Sequence, residues 1–451
     1  MVSEAKDLAT YIIEPIGADI YDPDSYTVRS MFQGSETTTT YDDTECYDMF
    51  DAINTEAFKP TTSSSNLRGG RIYLKNGLYE IDTQLWWSND TDADDVKFYM
   101  EGETRDGVII RNLINEVSNR TMMACTCSGD LYNLTLDGND LGTHTTMYAC
   151  IANNSGNPKY LRADNVHFTK HTGFGMRVAD ADDFQMASST NCWYDAPGQY
   201  EDRCSLHASE YVLIDGNYFD RTNGSFTGEG QSITGGDNGG RMQICNNVIK
   251  HLSTTNSRGI SIEPYGDLYN IYVHDNLLEY AKIGVGKSGT WAHLMHDISI
   301  KDNQILGSGI EVIGPSSGDF STQVKYVWVE GNVIKNAYST AMKLEKLCGL
   351  TSCRNNKIVN SNTSLASGNH GGLIWAVNCT NISIENNVLE MNDNGPVDAA
   401  YCKYGIRYET LTNSRMQNNV ILNKCADTTT HPYYQSSGSH TGVNIFSRSK
   451  W

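Results

Sequence analysis

No stretch of about eighteen apolar residues occurs in the chain, so the sequence offers no helix to cross a membrane. The N-terminal MVSEAKDLATYIIEP lacks a basic segment leading into an apolar core, and no signal peptide is visible in it. Basic residues are scarce: 34 Lys and Arg stand against 54 Asp and Glu, a formal charge of −20. That balance argues against a nucleic-acid partner, because phosphate binding needs clustered Lys and Arg to release counterions. An anionic ligand would need a local basic patch or a bound cation. Zinc-site spacing is missing too. The 12 cysteines form no CxxC…CxxC pattern, only CTC (Cys125, Cys127) and CGLTSC (Cys348, Cys353), so buried thiols are expected, with disulfides as the alternative. Nucleophile-elbow, phosphate-loop and dinucleotide motifs are absent; GVGKSG lacks the spacing and the following helix of a phosphate loop.

What is present is a repeat. Short alternating strands end in Asn followed by apolar residues: LTLDGN, LRADNV, VLIDGNYF, MQICNNVI, IYVHDNLL, ISIKDNQI, VWVEGNVI, ISIENNVL. The markers are Asn139, Asn165, Asn191, Asn217, Asn247, Asn276, Asn303, Asn332, Asn356, Asn387 and Asn419. After most of them come a turn and a second short strand, as in GFGMRV, GISIEP and GIEVIG. Each unit thus holds two or three strands and no helix of useful length, which is one coil of a solenoid. The period is too short for a propeller blade and the Leu spacing of a leucine-rich repeat is absent. The spacing predicts an all-β fold, a right-handed parallel β-helix. Equivalent positions on successive coils lie about 4.8 Å apart, so each Asn can bond its copies above and below, a structural role. Upstream, YDMFDAINTEAF has helical apolar spacing and is expected to cap the open end of the solenoid. The predicted organisation is an N-terminal arm and capping helix over 1–60, the β-helix over 61–425 and a C-terminal tail over 426–451.

The capping segment, GGRIYL…GLYEI, EGETRDGVII and LTLDGN together resemble the N-terminal half of the pectate-lyase-like β-helix superfamily, above all mannuronan C5-epimerase catalytic modules and phage tailspike depolymerases. The detailed resemblance spans roughly residues 45–190, and beyond it only the repeat is shared. It implies a carbohydrate-active protein whose substrate lies along the coils, outside the cell or on a virion surface, with a homotrimer as the tailspike-type assembly. The epimerase motif Tyr-Gly-Phe-Asp-Pro-His-Glu is not retained. In the matching FGMRVAD, Phe174, Arg177 and Ala179 stand for its Tyr, Asp and His.

Writing the post-Asn strands in one register predicts an outward column Arg177, His207, Thr234, Glu263, Gly286, beside a second column Gly175, Ser205, Ser232, Ser261, Gly284, Glu311. Arg177 and His207 would then be neighbours at about 4.8 Å, and His207 and Glu263 two coils apart at about 9.6 Å. A His titrating near pH ~6.5 serves as a base, and Arg pairs with a uronate carboxylate, which is lyase or epimerase chemistry on a uronate-containing polysaccharide. Glu263 permits a second reading: carboxylates about 6.5–9.5 Å apart suit inverting glycoside hydrolysis, with Glu229, Asp237 or Glu311 as partner. A third is a non-catalytic glycan-binding adhesin or tail protein. Trp193, Tyr194, Tyr200 and Trp291 are candidate sugar-stacking rings on excursions flanking the column; packing on the coil is the alternative. Outward charges on a β-helix are more often solvated or paired across coils than catalytic, the structural role assigned to the set Glu311, Lys343, Glu345, Arg407 and Glu409. No cofactor is required by these schemes, and Asp180–Asp183 is a candidate Ca²⁺ site.

Overall fold

The computed structural model describes residues 10–31, 36–57, 70–87, 97–114, 120–139, 147–153, 160–171, 173–178, 185–195, 202–208, 210–222, 231–236, 240–252, 258–287, 291–315, 324–361, 372–390, 404–422, 431–435 and 444–446. The chain forms two compact units, Met1–Gly230 and Gln231–Trp451. Each is a right-handed parallel β-helix, as the repeat predicts. Every coil gives one strand to each of three parallel sheets, here I, II and III in chain order. In the first unit one coil runs Tyr160–Asp164, His167–Thr169, Phe174–Val178; in the second one runs Leu268–His274, Leu277–Glu279, Lys282–Val285. The register joins like to like: Phe168 pairs with Tyr194 in sheet II, and Ile271 with Ile298, Leu278 with Ile305 and Ile283 with Ile310 in sheets I to III of the second unit. Alternation does the sorting. Ile260 and Ile262 pack inside their coil while Ser261 between them, also buried, turns its hydroxyl to Arg258 and Glu263 on the opposite face.

Before the first coil the chain lays down three antiparallel strands, Tyr11–Ile16, Ser25–Ser30 and Thr37–Asp42, the first of which also pairs in parallel with Gly70–Leu74. Helix α1 (Cys46–Ala57) follows, with Cys46, Met49, Phe50, Ile53, Asn54 and Ala57 buried, the spacing of one apolar face. Phe50 meets Tyr79 and Trp87 of the first coil, each at 6.3 Å between ring centroids. The capping helix expected from YDMFDAINTEAF is therefore in place. At the other end His431–Gln435 joins sheet III and Asn444–Phe446 joins sheet I.

The Asn markers divide into two roles. From Asn247 through Asn276, Asn303, Asn332, Asn356 and Asn387 to Asn419, each Nδ2 donates to the next Oδ1 at 2.9–3.0 Å. The same oxygen accepts the backbone N–H of the residue below at 3.0–3.1 Å. Asn217 does comparable work in the first unit, accepting from Cys192 N–H at 2.8 Å. Asn139, Asn165 and Asn191 are different: each sits at φ 53°, a left-handed turn residue. In the second unit that position falls one residue before the ladder, at Asn246, Asp275, Asp302 and Asn355. Asn tolerates left-handed backbone better than other non-Gly residues, so one residue type marks two neighbouring positions.

Candidate functional site on sheet III

The pairing corrects part of the expected register. In the first unit Arg177 lies opposite Ser205, and His207 stands two residues further along the chain. The expected Arg177–His207 pair therefore does not form as neighbours. Arg177 sets its guanidinium 5.1 Å from the Phe174 ring centroid. His207 is buried, at 8% exposure, with Nε2 3.1 Å from Ser205 Oγ and its backbone N–H on Val178 O at 3.0 Å. In the second unit Thr234 pairs with Ser261 and not with Glu263, while the run Ser261, Gly284, Glu311 is as expected. Ser232 turns inward, its Oγ 2.8 Å from the buried His251 Nε2.

Two of the rings expected to stack on sugars are core. Tyr194 is fully buried between Phe168 and Phe219, with centroids 4.7 and 4.6 Å away, and belongs to a sheet II strand rather than a loop. Trp291 is 8% exposed and its indole N–H donates to Lys287 O at 2.9 Å, so it braces the turn that carries Lys287. Trp193 stays 37% exposed, but on the outer face of sheet II, between His167 and Tyr218. Tyr200, Glu229, Asp237 and the acidic run Asp180–Asp183 lie outside the described residues. Among the described residues no group of three or more His, Cys, Asp or Glu side chains converges as a metal site requires.

Glu263 is the centre of what remains. The strand Arg258–Ile262 ends by pairing Glu263 N–H with Gly235 O at 2.9 Å, and the turn brings Tyr265 back over the carboxylate. Oε2 accepts from Tyr265 OH at 2.8 Å and from Lys287 Nζ at 3.1 Å; Oε1 accepts from Gln231 Nε2 and Ser261 Oγ, each at 3.3 Å. Lys287 follows Gly286, whose φ of 72° only Gly adopts freely and which turns the chain at the end of Lys282–Val285. Its Nζ also lies 4.5 Å from the Tyr265 ring centroid. Burial alone would raise the Glu263 pKa. The hydrogen bonds from Tyr265, Lys287 and Gln231, with the Lys287 charge, outweigh that and hold it below its ordinary value. Tyr265 is 54% exposed, so a phenol, an ammonium and an ionised carboxylate face solvent together.

Glu311 lies two coils on from Ser261 and is bound by Lys282 Nζ at 3.0 Å. Beyond it the charges are paired as expected: Lys343 and Lys346 hold Glu345 at 2.7 and 3.2 Å, and Arg407 holds Glu409 at 2.6 Å. Tyr265, Lys287 and Arg258 were missed in the sequence. Their signal was proximity: Tyr265 follows Glu263 by two residues, and Lys287 stands one residue past the position aligned with it.

No family model matches the chain, and no curated protein matches it. Among solved structures it is similar to the A-module of mannuronan C-5 epimerase AlgE4 from Azotobacter vinelandii, at 13% identity over 90% of this chain and 95% of that one, with a TM-score of 0.47. It is also similar to the DFA-IIIase of Arthrobacter chlorophenolicus A6, at 13% identity over 89% and 88% and a TM-score of 0.41. The Dettilon tailspike protein is matched at 12% identity over 83% of this chain and 62% of that one, with a TM-score of 0.31. At these values the fold and the site rest on this chain's own strand pairing and side chains.

Proposed function

We propose that this chain acts on a uronate-containing polysaccharide by lyase- or epimerase-type chemistry on the outer face of sheet III in the second unit, centred on Glu263, Tyr265 and Lys287. The observation that carries the reading is an exposed phenol hydrogen-bonded to a carboxylate that an ammonium keeps ionised. Such a pair moves a proton. Tyr265 takes the proton on the carbon beside the uronate carboxylate as its own proton passes to Glu263, and the Lys287 charge stabilises the carbanionic character that develops. In elimination the electron pair forms the C4–C5 double bond, the C4–oxygen bond breaks, and the proton held on Glu263 returns through Tyr265 to the leaving oxygen, which restores both residues. In epimerisation a water on the other face protonates the carbon, and the hydroxide formed is neutralised by the proton held on Glu263. Hydrolysis by paired carboxylates needs one of them protonated, whereas Glu263 is held ionised and Glu311 is bound to Lys282. A location outside the cell or on a virion surface, and a homotrimer, belong to the same proposal.

The test is incubation with a panel of acidic and neutral polysaccharides, following ultraviolet absorbance of unsaturated uronates, reducing ends and product stereochemistry. Absorbance, or inversion at the uronate carbon, is expected from the wild type. Tyr265→Phe and Glu263→Gln should each lower kcat roughly a hundredfold or more, while chelator leaves the rate unchanged because the scheme draws on no metal. Reducing ends without absorbance would replace the reading with hydrolysis. Binding without any product would leave a glycan-binding protein.

A further inference from the structure

Arg258 opens the strand that leads to Glu263, and its side chain crosses to the next coil. A methyl group built on Gly284 would come 2.4 Å from Arg258 Nε and 2.8 Å from its Cζ, so the guanidinium occupies the space that a side chain at 284 would need. Arg258 Nη1 donates to Ser261 Oγ at 3.0 Å, and Ser261 donates onward to Glu263 Oε1 at 3.3 Å. The two cations of the next strand and its turn are matched: Lys282, opposite Arg258 in register, holds Glu311, and Lys287 holds Glu263. Among the described residues Arg258 forms no ion pair; its partner is a neutral hydroxyl. Among the described residues beside Glu263, Arg258 is therefore the cation that no carboxylate answers, in a chain whose formal charge is −20. A planar guanidinium presents several N–H groups in a fork that matches a carboxylate, and Ser261 occupies only one arm of it.

Resting on the polysaccharide reading above, we infer that Arg258 is the carboxylate-recognising residue of this site and that Gly284 is the floor that lets it lie there. The substrate class follows: a glycan with a carboxylate on the sugar bound over Ser261 and Gly284, beside the Tyr265–Glu263 pair. Gly284 does not need left-handed backbone, so Ala is tolerated by the chain and displaces only the arginine.

Isothermal titration calorimetry with alginate, polygalacturonate and their carboxyl-reduced counterparts tests this, using wild type, Arg258→Gln, Arg258→Lys and Gly284→Ala, each checked for an unchanged melting midpoint. Wild type should bind an acidic polymer at least roughly tenfold more tightly than its reduced form. Arg258→Gln and Gly284→Ala should both lose that preference, and Arg258→Lys should keep part of it. An acidic preference that survives Arg258→Gln, or a wild type that binds both forms equally, overturns the assignment of Arg258 and leaves the polysaccharide reading standing. A wild type that binds no polymer sinks both.

Discussion

A carboxylate with four hydrogen bonds, one of them from an ammonium, is a different reagent from a solvated one. Glu263 has its folded pKa below the ordinary 4.5, so its ionised form contributes stability above that value, and the contribution is lost as pH falls through the lower, folded value. The proton-accepting partner of Tyr265 thus stays available on the acid side, and the acid limb of kcat/KM should lie below the ordinary carboxylate value of 4.5. Lys287→Met removes one hydrogen bond and, among the described residues, the only cation paired with Glu263, leaving burial to act with less opposition. The acid limb of that variant should move to higher pH, read from the pH profile of kcat/KM beside a pH series of unfolding midpoints. A limb that stays put would mean that the ammonium does not hold the carboxylate ionised. Trp291→Phe belongs to the same test: it removes the donor to Lys287 O without touching the pair, and should lower activity only by loosening the turn.

Coils and their sheets were legible in the sequence because strand alternation repeats with the Asn markers, and burial follows that alternation in strands such as Tyr160–Asp164, His167–Thr169 and Leu277–Glu279. What the pattern could not fix was the pairing of one coil on the next. Slipping a strand by one residue moves its apolar set to solvent, whereas slipping it by two keeps every residue on its own face. The expected Arg177–His207 and Thr234–Glu263 neighbours are two-residue slips of this kind, cheap in hydrophobic terms and wrong in register. The strand Trp193–Tyr194 falls inside a stretch that the sequence presents as an excursion, because two residues carry no alternation to recognise. The Asn markers show the same limit, since residue type alone did not separate ladder from turn. The two roles differ in energy. Asn303 donates Nδ2 to Val273 O at 3.0 Å and to Asn332 Oδ1 at 3.0 Å, and its Oδ1 accepts from Asn276. Asn303→Ala strands buried donors and acceptors on both sides, and should cost about 3 kcal/mol in denaturant unfolding. Asn139→Gly, at φ 53°, should change stability by less than about 1 kcal/mol. Equal losses in the two variants would contradict the division.

At the scale of the molecule, the described cysteines serve as small apolar residues rather than as cross-links. Ten cysteines are described (Cys46, Cys125, Cys127, Cys150, Cys192, Cys204, Cys245, Cys348, Cys353 and Cys379), and all are buried and free. This settles for those ten the alternative that composition left open. Cys125 and Cys127, two residues apart, face burial together and form no bond. Burial pushes the thiols of Cys127, Cys192, Cys204, Cys353 and Cys379 up to about 12, although backbone or side-chain hydrogen bonds pull the other way. The nucleophile in thiol chemistry is the thiolate, so these groups are doubly protected, by access and by ionisation. With none of the ten described cysteines cross-linked, the stacked coils carry the stability: the apolar interior, the Asn ladder and α1 over the first coil. An aromatic disulfide reagent at neutral pH should therefore find the ten unreactive in native protein and reactive after denaturation, and reductant should leave the unfolding midpoint where it was. A native reading greater than Cys402 and Cys425 can supply, or a midpoint that falls with reductant, would show that the coils open or are cross-linked in solution.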